Sequence, residues 1–224
     1  MRLATSTIMR LSRQLLLTVC IAMAAFAHAS ERVEVQITGI EDELLDNVMA
    51  QLGIAQLVRQ ASFIPLPTID EQETEVSEAS VRRLHRAAPS EIRKALQPFG
   101  YYSPTIKSNL DRKEDSWVAS YRVDPGKPTL VENIELGIQG DGRDNADLRS
   151  VLESTQLATG QRLQHVHYAD TKAALMKAAL AAGYLDARFV RSEIRVEPRH
   201  RNAGIALILD TGQRYYFGDI HIDQ

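Results

Sequence analysis

The sequence predicts an α+β protein built of tandem β-α-α-β-β units, each with two helices on one face of a three-stranded mixed sheet. Three internal matches carry that expectation. DTGQRYYFGDIHI, from Asp210, aligns without a gap on DPGKPTLVENIEL, from Asp124, at a spacing of 86 residues. ALQPFGYYSPTI aligns on AALAAGYLDARF at a spacing of 83, with Gly183 over Gly100 and Tyr184 over Tyr101. VEVQITG, from Val33, parallels IELGIQG, from Ile134. First strands therefore start near 33, 134 and 220, which makes two complete units and the opening strand of a third. The expected division is 1–29, a leader; 30–127, the first unit; 128–212, the second; and 213–224, the start of an incomplete third.

The leader comes first. Arg2, Arg10 and Arg13 precede an uncharged apolar run from Leu15 to Phe26, and Ala27-His28-Ala29 supplies an A-x-A cleavage site, the anatomy of a secretory signal peptide. In the first unit Val33, Val35 and Ile37 alternate as a strand, and Leu44, Leu45, Val48, Met49 and Leu52 recur with helical period up to Gly53, where the helix should stop. A second helix carries Val81, Leu84, Ala88, Ile92 and Leu96 on one face, and Pro89 inside it should restart or kink it. Gly100 and Gly183 fit helix ends that require a left-handed residue. The tyrosines that follow them are expected to cover the end of the sheet with their hydroxyls in water. Strands are then expected over 105–110 and 117–123. The second unit repeats the order with a strand at 134–138, helices near 145–155 and 169–182, and strands at 189–196 and 204–209. Between its first strand and its Gly-Tyr pair the first unit is 18 residues longer. Part of that excess, FIPLPTIDEQETEVSE, has two prolines and an unscreened acidic run, and reads as an exposed connector.

At 224 residues with 44% hydrophobic and 25% charged side chains, the composition is that of ordinary globular units. Cys20, the one cysteine, lies in the leader and should leave with it, so the secreted chain is expected to hold no disulfide or thiolate metal site. Loss of three leader arginines deepens the net charge from -3 to about -6, which argues against non-specific nucleic-acid binding. GIQGDG, Gly137 to Gly142, sits where phosphate loops sit, but its spacing fits neither phosphate-binding fingerprint, and a turn is expected. His165-Val166-His167 would present two imidazoles from alternate positions of an extended segment, too few for a metal site alone. The basic clusters Arg82-Arg83-Leu84-His85-Arg86 and Arg199-His200-Arg201 read as a solvated helix face and a hairpin turn. Neither an H-e-x-x-H zinc pattern nor a nucleophile elbow occurs.

Tandem units of this order behind a signal peptide, with a Gly-Tyr pair closing the second helix and a glycine opening each new strand, resemble the POTRA repeats of the Omp85 family. ALQPFGYYSPTI and GQRYYFGDIHI are most similar to its TamA-type members. The resemblance implies periplasmic repeats ahead of an outer-membrane β-barrel that would follow the third repeat. It also implies no enzymatic role and no cofactor. The implied partners are an inner-membrane-anchored protein resembling TamB and outer-membrane or autotransporter client polypeptides.

A sheet covered by helices on one face leaves its edges open, and an extended peptide can add there through main-chain hydrogen bonds. The resemblance puts that edge on the short strand after each Gly-Tyr pair: Thr105, Ile106 and Leu110 in the first unit, Phe189, Arg191, Glu193 and Arg195 in the second. Charges on such a strand also protect it against aggregation, so the two roles compete at these residues. The rival expectation is a stand-alone soluble periplasmic adaptor of two such repeats, with the last strand paired back onto the second unit.

Overall fold

The computed structural model describes residues 32–62, 77–114, 116–216 and 218. The expected leader, most of the acidic connector and the expected strand at 220 lie outside them. In β1 (Arg32–Thr38), Val33, Val35 and Ile37 are half-buried against the helices, while Arg32, Glu34, Gln36 and Thr38 are exposed. Helix α1 (Asp42–Gln51) follows, and Leu52 then adopts an extended conformation. The helical pattern does not end there, as the glycine suggests. Helix α2 (Gly53–Ser62) begins at once, because the Glu91 carboxylate accepts the Gly53 N–H at 2.9 Å and supplies a cap from a distant element. Leu52 and Ile54 meanwhile turn into the core. Among its described residues the first unit thus has three α-helices, one more than the sequence repeat implies.

Helix α3 (Glu78–Leu96) starts at Ser77, whose Oγ accepts the Ser80 N–H at 3.3 Å. It runs unbroken through Pro89, so of the two expectations a restart is excluded. A 3-10 turn, Gln97–Phe99, leads to Gly100. Strands β2 (Thr105–Lys113) and β3 (Ser116–Asp124) complete a sheet in the order β1-β3-β2, with β1 parallel and β2 antiparallel to β3. The inward side chains of the central strand, Trp117, Ala119, Tyr121 and Val123, pack against Val48, Leu52, Ile54, Val81, Ile92 and Leu96. Each Val, Leu or Ile among them contributes about 1.5–3 kcal/mol by leaving water.

The second unit repeats the topology. Strand β4 (Leu130–Gln139), a 3-10 turn at Asp141–Asp144, α4 (Ala146–Glu153), α5 (His165–Ala181), β5 (Arg188–Glu197) and β6 (Asn202–Asp210) give a sheet ordered β4-β6-β5, again with the first strand parallel to the central one. Helix α5 begins four residues earlier than its apolar pattern suggests, at His165. Its core has two parts. Leu148, Leu175, Ala179, Tyr184, Leu207 and Leu209 fill one end, and Val131, Leu163, Ala203 and Ile205 fill the other, where Tyr102 of the first unit packs in.

The repeated glycines join units as well as end helices. Gly100 lies at φ 84°, its carbonyl accepts the Thr129 N–H at 2.8 Å, and a Cβ added there would stand 2.6 Å from the Leu163 carbonyl oxygen. Gly183 reproduces this at φ 88°, with its carbonyl taking the Tyr215 N–H at 2.8 Å and a Cβ position 2.7 Å from the Tyr215 oxygen. Both donors come from the linker after an Asp-x-Gly turn, in which Asp124 Oδ1 accepts the Gly126 N–H at 3.0 Å and Asp210 Oδ1 the Gly212 N–H at 3.1 Å.

The tyrosines differ from expectation. Tyr184 is buried, and the Tyr101 hydroxyl takes a 3.3 Å hydrogen bond from Arg162 Nη1 across the junction. Their rings lie under guanidinium groups, Arg162 over Tyr101 at 5.7 Å and Arg214 over Tyr184 at 6.0 Å.

Two alanine substitutions separate backbone strain from junction packing. Gly160 also has positive φ, but nothing lies within 4 Å of its Cβ position, so Gly160→Ala is expected to cost only about 1–2 kcal/mol of strain. Gly100→Ala adds a collision with backbone and should lose more in urea unfolding. It should also accelerate amide exchange at Thr129 and Leu163; equal costs at the two sites would show that the close approach is relaxed without penalty.

Candidate functional site

The sequence-predicted residues fall on one edge strand of each sheet. Thr105, Ile106 and Leu110 lie on β2, which among the described residues pairs only with β3, and Phe189, Arg191, Glu193 and Arg195 lie on β5, which among them pairs only with β6. On β2, Ile106 and Leu110 turn toward the helices and pack on the core, while Thr105 is exposed. The strand therefore presents a half-buried apolar side and an open backbone edge.

On β5 simple alternation fails at one point. The register slips between Phe189 and Arg191, leaving Val190 unpaired and exposed. This bulge resets the phase, so Phe189 packs in the helix-side core, with Lys172 Nζ 5.2 Å from its ring, while Arg191 points to the opposite face. Ser192 takes the next inward position, where it accepts from Lys172 Nζ at 2.6 Å and meets the Tyr168 hydroxyl at 2.7 Å. Arg191, Glu193 and Arg195 share the outer face, as their spacing predicts. Arg191 bonds Glu135 across the sheet and Glu193 along the strand at 2.9 Å, and Arg195 reaches Glu193 at 3.3 Å. The hydrogen bond from Arg191, reinforced by the charge of Arg195, holds the Glu193 carboxyl below the usual range. These pairs are solvent-exposed, so they shape the surface more than they stabilise it.

The outer faces of the two sheets carry different charge. In the second unit a 310 Å³ hollow has Gly204 and Ala206 among its central-strand residues, with Glu132, Glu135, Glu193 and Glu197 around Arg191 and Arg195. In the first, Lys107 and Arg122 stand directly opposite one another on neighbouring strands. A like-charge cross-strand pair is unfavourable by itself, and it makes this face attractive to anionic groups.

The remaining sequence features have structural employment. Gly142, in GIQGDG, donates its N–H to the buried Thr211 Oγ1 at 2.9 Å, which ties the turn to the end of β6. His165 and His167 occupy the first turn of a helix rather than an extended segment, and His165 Nε2 lies 2.6 Å from the Tyr102 hydroxyl of the first unit. His85 is likewise not simply solvated: its Nδ1 lies 2.9 Å from the Tyr121 hydroxyl. Among the described residues no three His, Cys, Asp or Glu side chains are grouped to hold a metal ion, and no helix is long and apolar enough to cross a membrane.

Burial holds both imidazoles, His85 and His165, below their ordinary value of 6.5. The unfolded chain therefore takes up these protons first as pH falls. The associated stability is complete above about pH 6.5 and is lost progressively below it, through the depressed folded values. Glu78 is held below its ordinary 4.5 chiefly by the Arg82 hydrogen bond, and with Glu193 it acts in a separate window at lower pH. Urea midpoints should thus fall between about pH 7 and pH 5, and a His85→Gln, His165→Gln double variant should flatten that slope while leaving the acid limb in place. An unchanged slope would show that neither imidazole is buried in its neutral form.

Residues 34–125 match the family model described as POTRA domain, TamA domain 1. Among solved structures, POTRA3-5 of BamA from Haemophilus influenzae is 16% identical over 83% of this chain and 67% of its own, with a TM-score of 0.42. POTRA1-3 of the periplasmic domain of Omp85 from Anabaena is 15% identical over 80% of this chain and 59% of its own, at 0.35. BamA from Haemophilus ducreyi lacking POTRA domains 1-3 is 16% identical over 82% of this chain, which spans only 29% of that longer structure, at 0.36. The sequence match falls on the first unit, from Glu34 in β1 to the turn after β3, and the second unit repeats its sheet order strand for strand. The first unit, residues 34–125, is therefore similar to the first POTRA domain of TamA-type members of the Omp85 family.

Proposed function

We propose that this chain is the periplasmic POTRA region of a TamA-like outer-membrane assembly protein, and that it binds partner and client polypeptides without catalysing a reaction on them. The observation that carries this reading is the repeated free edge. In each unit the strand after the Gly-Tyr pair is, among the described residues, bonded on one side only, with a half-buried apolar row turned inward. Binding through main chain suits clients of varied sequence, because every extended segment offers the same N–H and C=O pattern. The family match supports the assignment to outer-membrane assembly. In this reading the protein resides in the outer membrane through a barrel that follows these repeats. An inner-membrane-anchored partner resembling TamB meets the repeats in the periplasm, and the clients are outer-membrane proteins and autotransporters.

The test is made in cells. Depletion of the protein should lower surface display of an autotransporter, and a photo-crosslinker at Asn109 on β2 or Val190 on β5 should form an adduct with that autotransporter stalled in assembly. Normal display together with no adduct from either strand would overturn the proposal.

The charges of β5 generate a second expectation. Replacing Arg191, Glu193 and Arg195 together by Thr removes the groups that discourage edge-to-edge pairing, so sedimentation velocity should detect concentration-dependent self-association. A variant that stays monomeric would mean that the bulge at Val190 protects this edge without them.

A further inference from the structure

The first strand of each sheet is also an edge, and the second unit shows how that edge is used. Residues 160–163 run antiparallel beside the start of β4: Gly160 N–H donates to the Val131 carbonyl at 2.7 Å, Val131 N–H to Gln161 at 2.9 Å, and Leu163 N–H to Thr129 at 2.9 Å. Leu163 is thereby driven into the core beside Val131, Ala203 and Ile205, with Leu157 and Ile134 against it. A short added strand and one aliphatic plug close this end of the unit.

The first unit is built differently at the corresponding place. There the chain after α1 forms a helix, α2, instead of an extended plug. Val33 and Ser116, the counterparts of Ile134 and Asn202 by the repeat spacings, border an open cleft of 460 Å³. Val33, Val35, Met49, Ala55 and Val58 make it mainly apolar. Arg32 and Arg59 against Glu34 leave its rim net positive. The cleft runs along β1, which pairs with β3 and with no other strand among the described residues.

We infer that this cleft receives an extended segment of another polypeptide. The segment adds antiparallel to Arg32–Val35 and inserts one aliphatic side chain between β1 and α2, as Leu163 does within the second unit. Charge complementarity with the rim selects neutral or acidic flanks over basic ones. The inference rests on the proposed polypeptide-binding function, and it assigns a third edge to it, one that the sequence did not single out. Unlike β5, this edge couples open backbone to an unfilled apolar hollow, which gives both the main-chain affinity and the side-chain pocket that strand addition requires.

The probe is a capped synthetic peptide, Asp-Thr-Ser-Val-Leu-Val-Ser-Thr-Asp, titrated into the full-length chain labelled at backbone amides and at Val, Leu, Ile and Met methyls. The expected result is a set of shifts at Val33, Val35, Met49 and Val58, with slowed amide exchange along β1. Val58→Glu, which sets a carboxylate in the hollow, should weaken binding about tenfold or more while signals of the second unit stay in place. Val58→Thr, less disruptive to folding, should weaken it in the same direction. Shifts at Thr105–Leu110 or Phe189–Val196 instead would overturn the cleft and leave the proposed function standing. Binding that appears only after residues 63–76 are deleted would overturn it in favour of the chain's own connector. Concentration-dependent shifts without peptide would overturn it in favour of a second copy. No shift anywhere would overturn it too, and the autotransporter crosslinks then decide separately whether the broader function survives.

Discussion

A left-handed glycine at the end of the long helix is the constraint on which the rest of the molecule depends. At Gly100 and Gly183 it ends the helix, aims the backbone carbonyl at the linker into the next unit, and leaves no Cβ where that linker must pass. A larger residue would have to adopt strained backbone and displace main chain, which cannot rotate away as a side chain can. The repeat is therefore fixed at its joints as well as within its sheets. Around the first joint, Tyr101 under Arg162 and Tyr102 beside His165 carry side chains of one unit into the surface of the other. The second joint reuses the glycine and the covered tyrosine but draws its arginine, Arg214, from the linker itself.

This explains why so much of the fold is legible in one sequence. Spacings of 83 and 86 residues survive between units because the Gly-Tyr pair and the Asp-x-Gly turn each satisfy a backbone requirement that few other residues meet. Features set by long-range partners were not legible. Gly53 reads as a stop because the carboxylate that caps the next helix, Glu91, lies far along the chain. His85 reads as part of a solvated helix face, and His165 as part of an extended segment, because their partners Tyr121 and Tyr102 sit in other elements. Even strand phase hid one fact. Phe189 and Arg191 share a face by alternation, and only the slip at Val190 sends the ring into the core and the guanidinium outward.

The edges show the same division between local and distant information. Period-two alternation identifies β2 and β5 as strands, and the family resemblance, rather than the pattern, puts them at an edge. The cleft beside β1 could not be anticipated from either, since it exists through the difference between two copies of one plan. Where the second unit has an extended plug ending in Leu163, the first has a helix, and a helix cannot both pack on the sheet and extend it.

Edge strands in one chain are therefore not equivalent, and the difference lies in what flanks their backbone. Around β5, carboxylates and guanidinium groups on the outer face and the unpaired Val190 raise the cost of casual pairing. Beside β1, apolar side chains offer a gain in burial to any segment that aligns its backbone, so pairing there is rewarded by area as well as by hydrogen bonds. Backbone bonds alone give little net free energy, because water competes for both partners. An edge that must hold a polypeptide long enough to pass it on needs the second contribution. The β5 edge lacks that contribution, so its hold on a client is the weaker of the two.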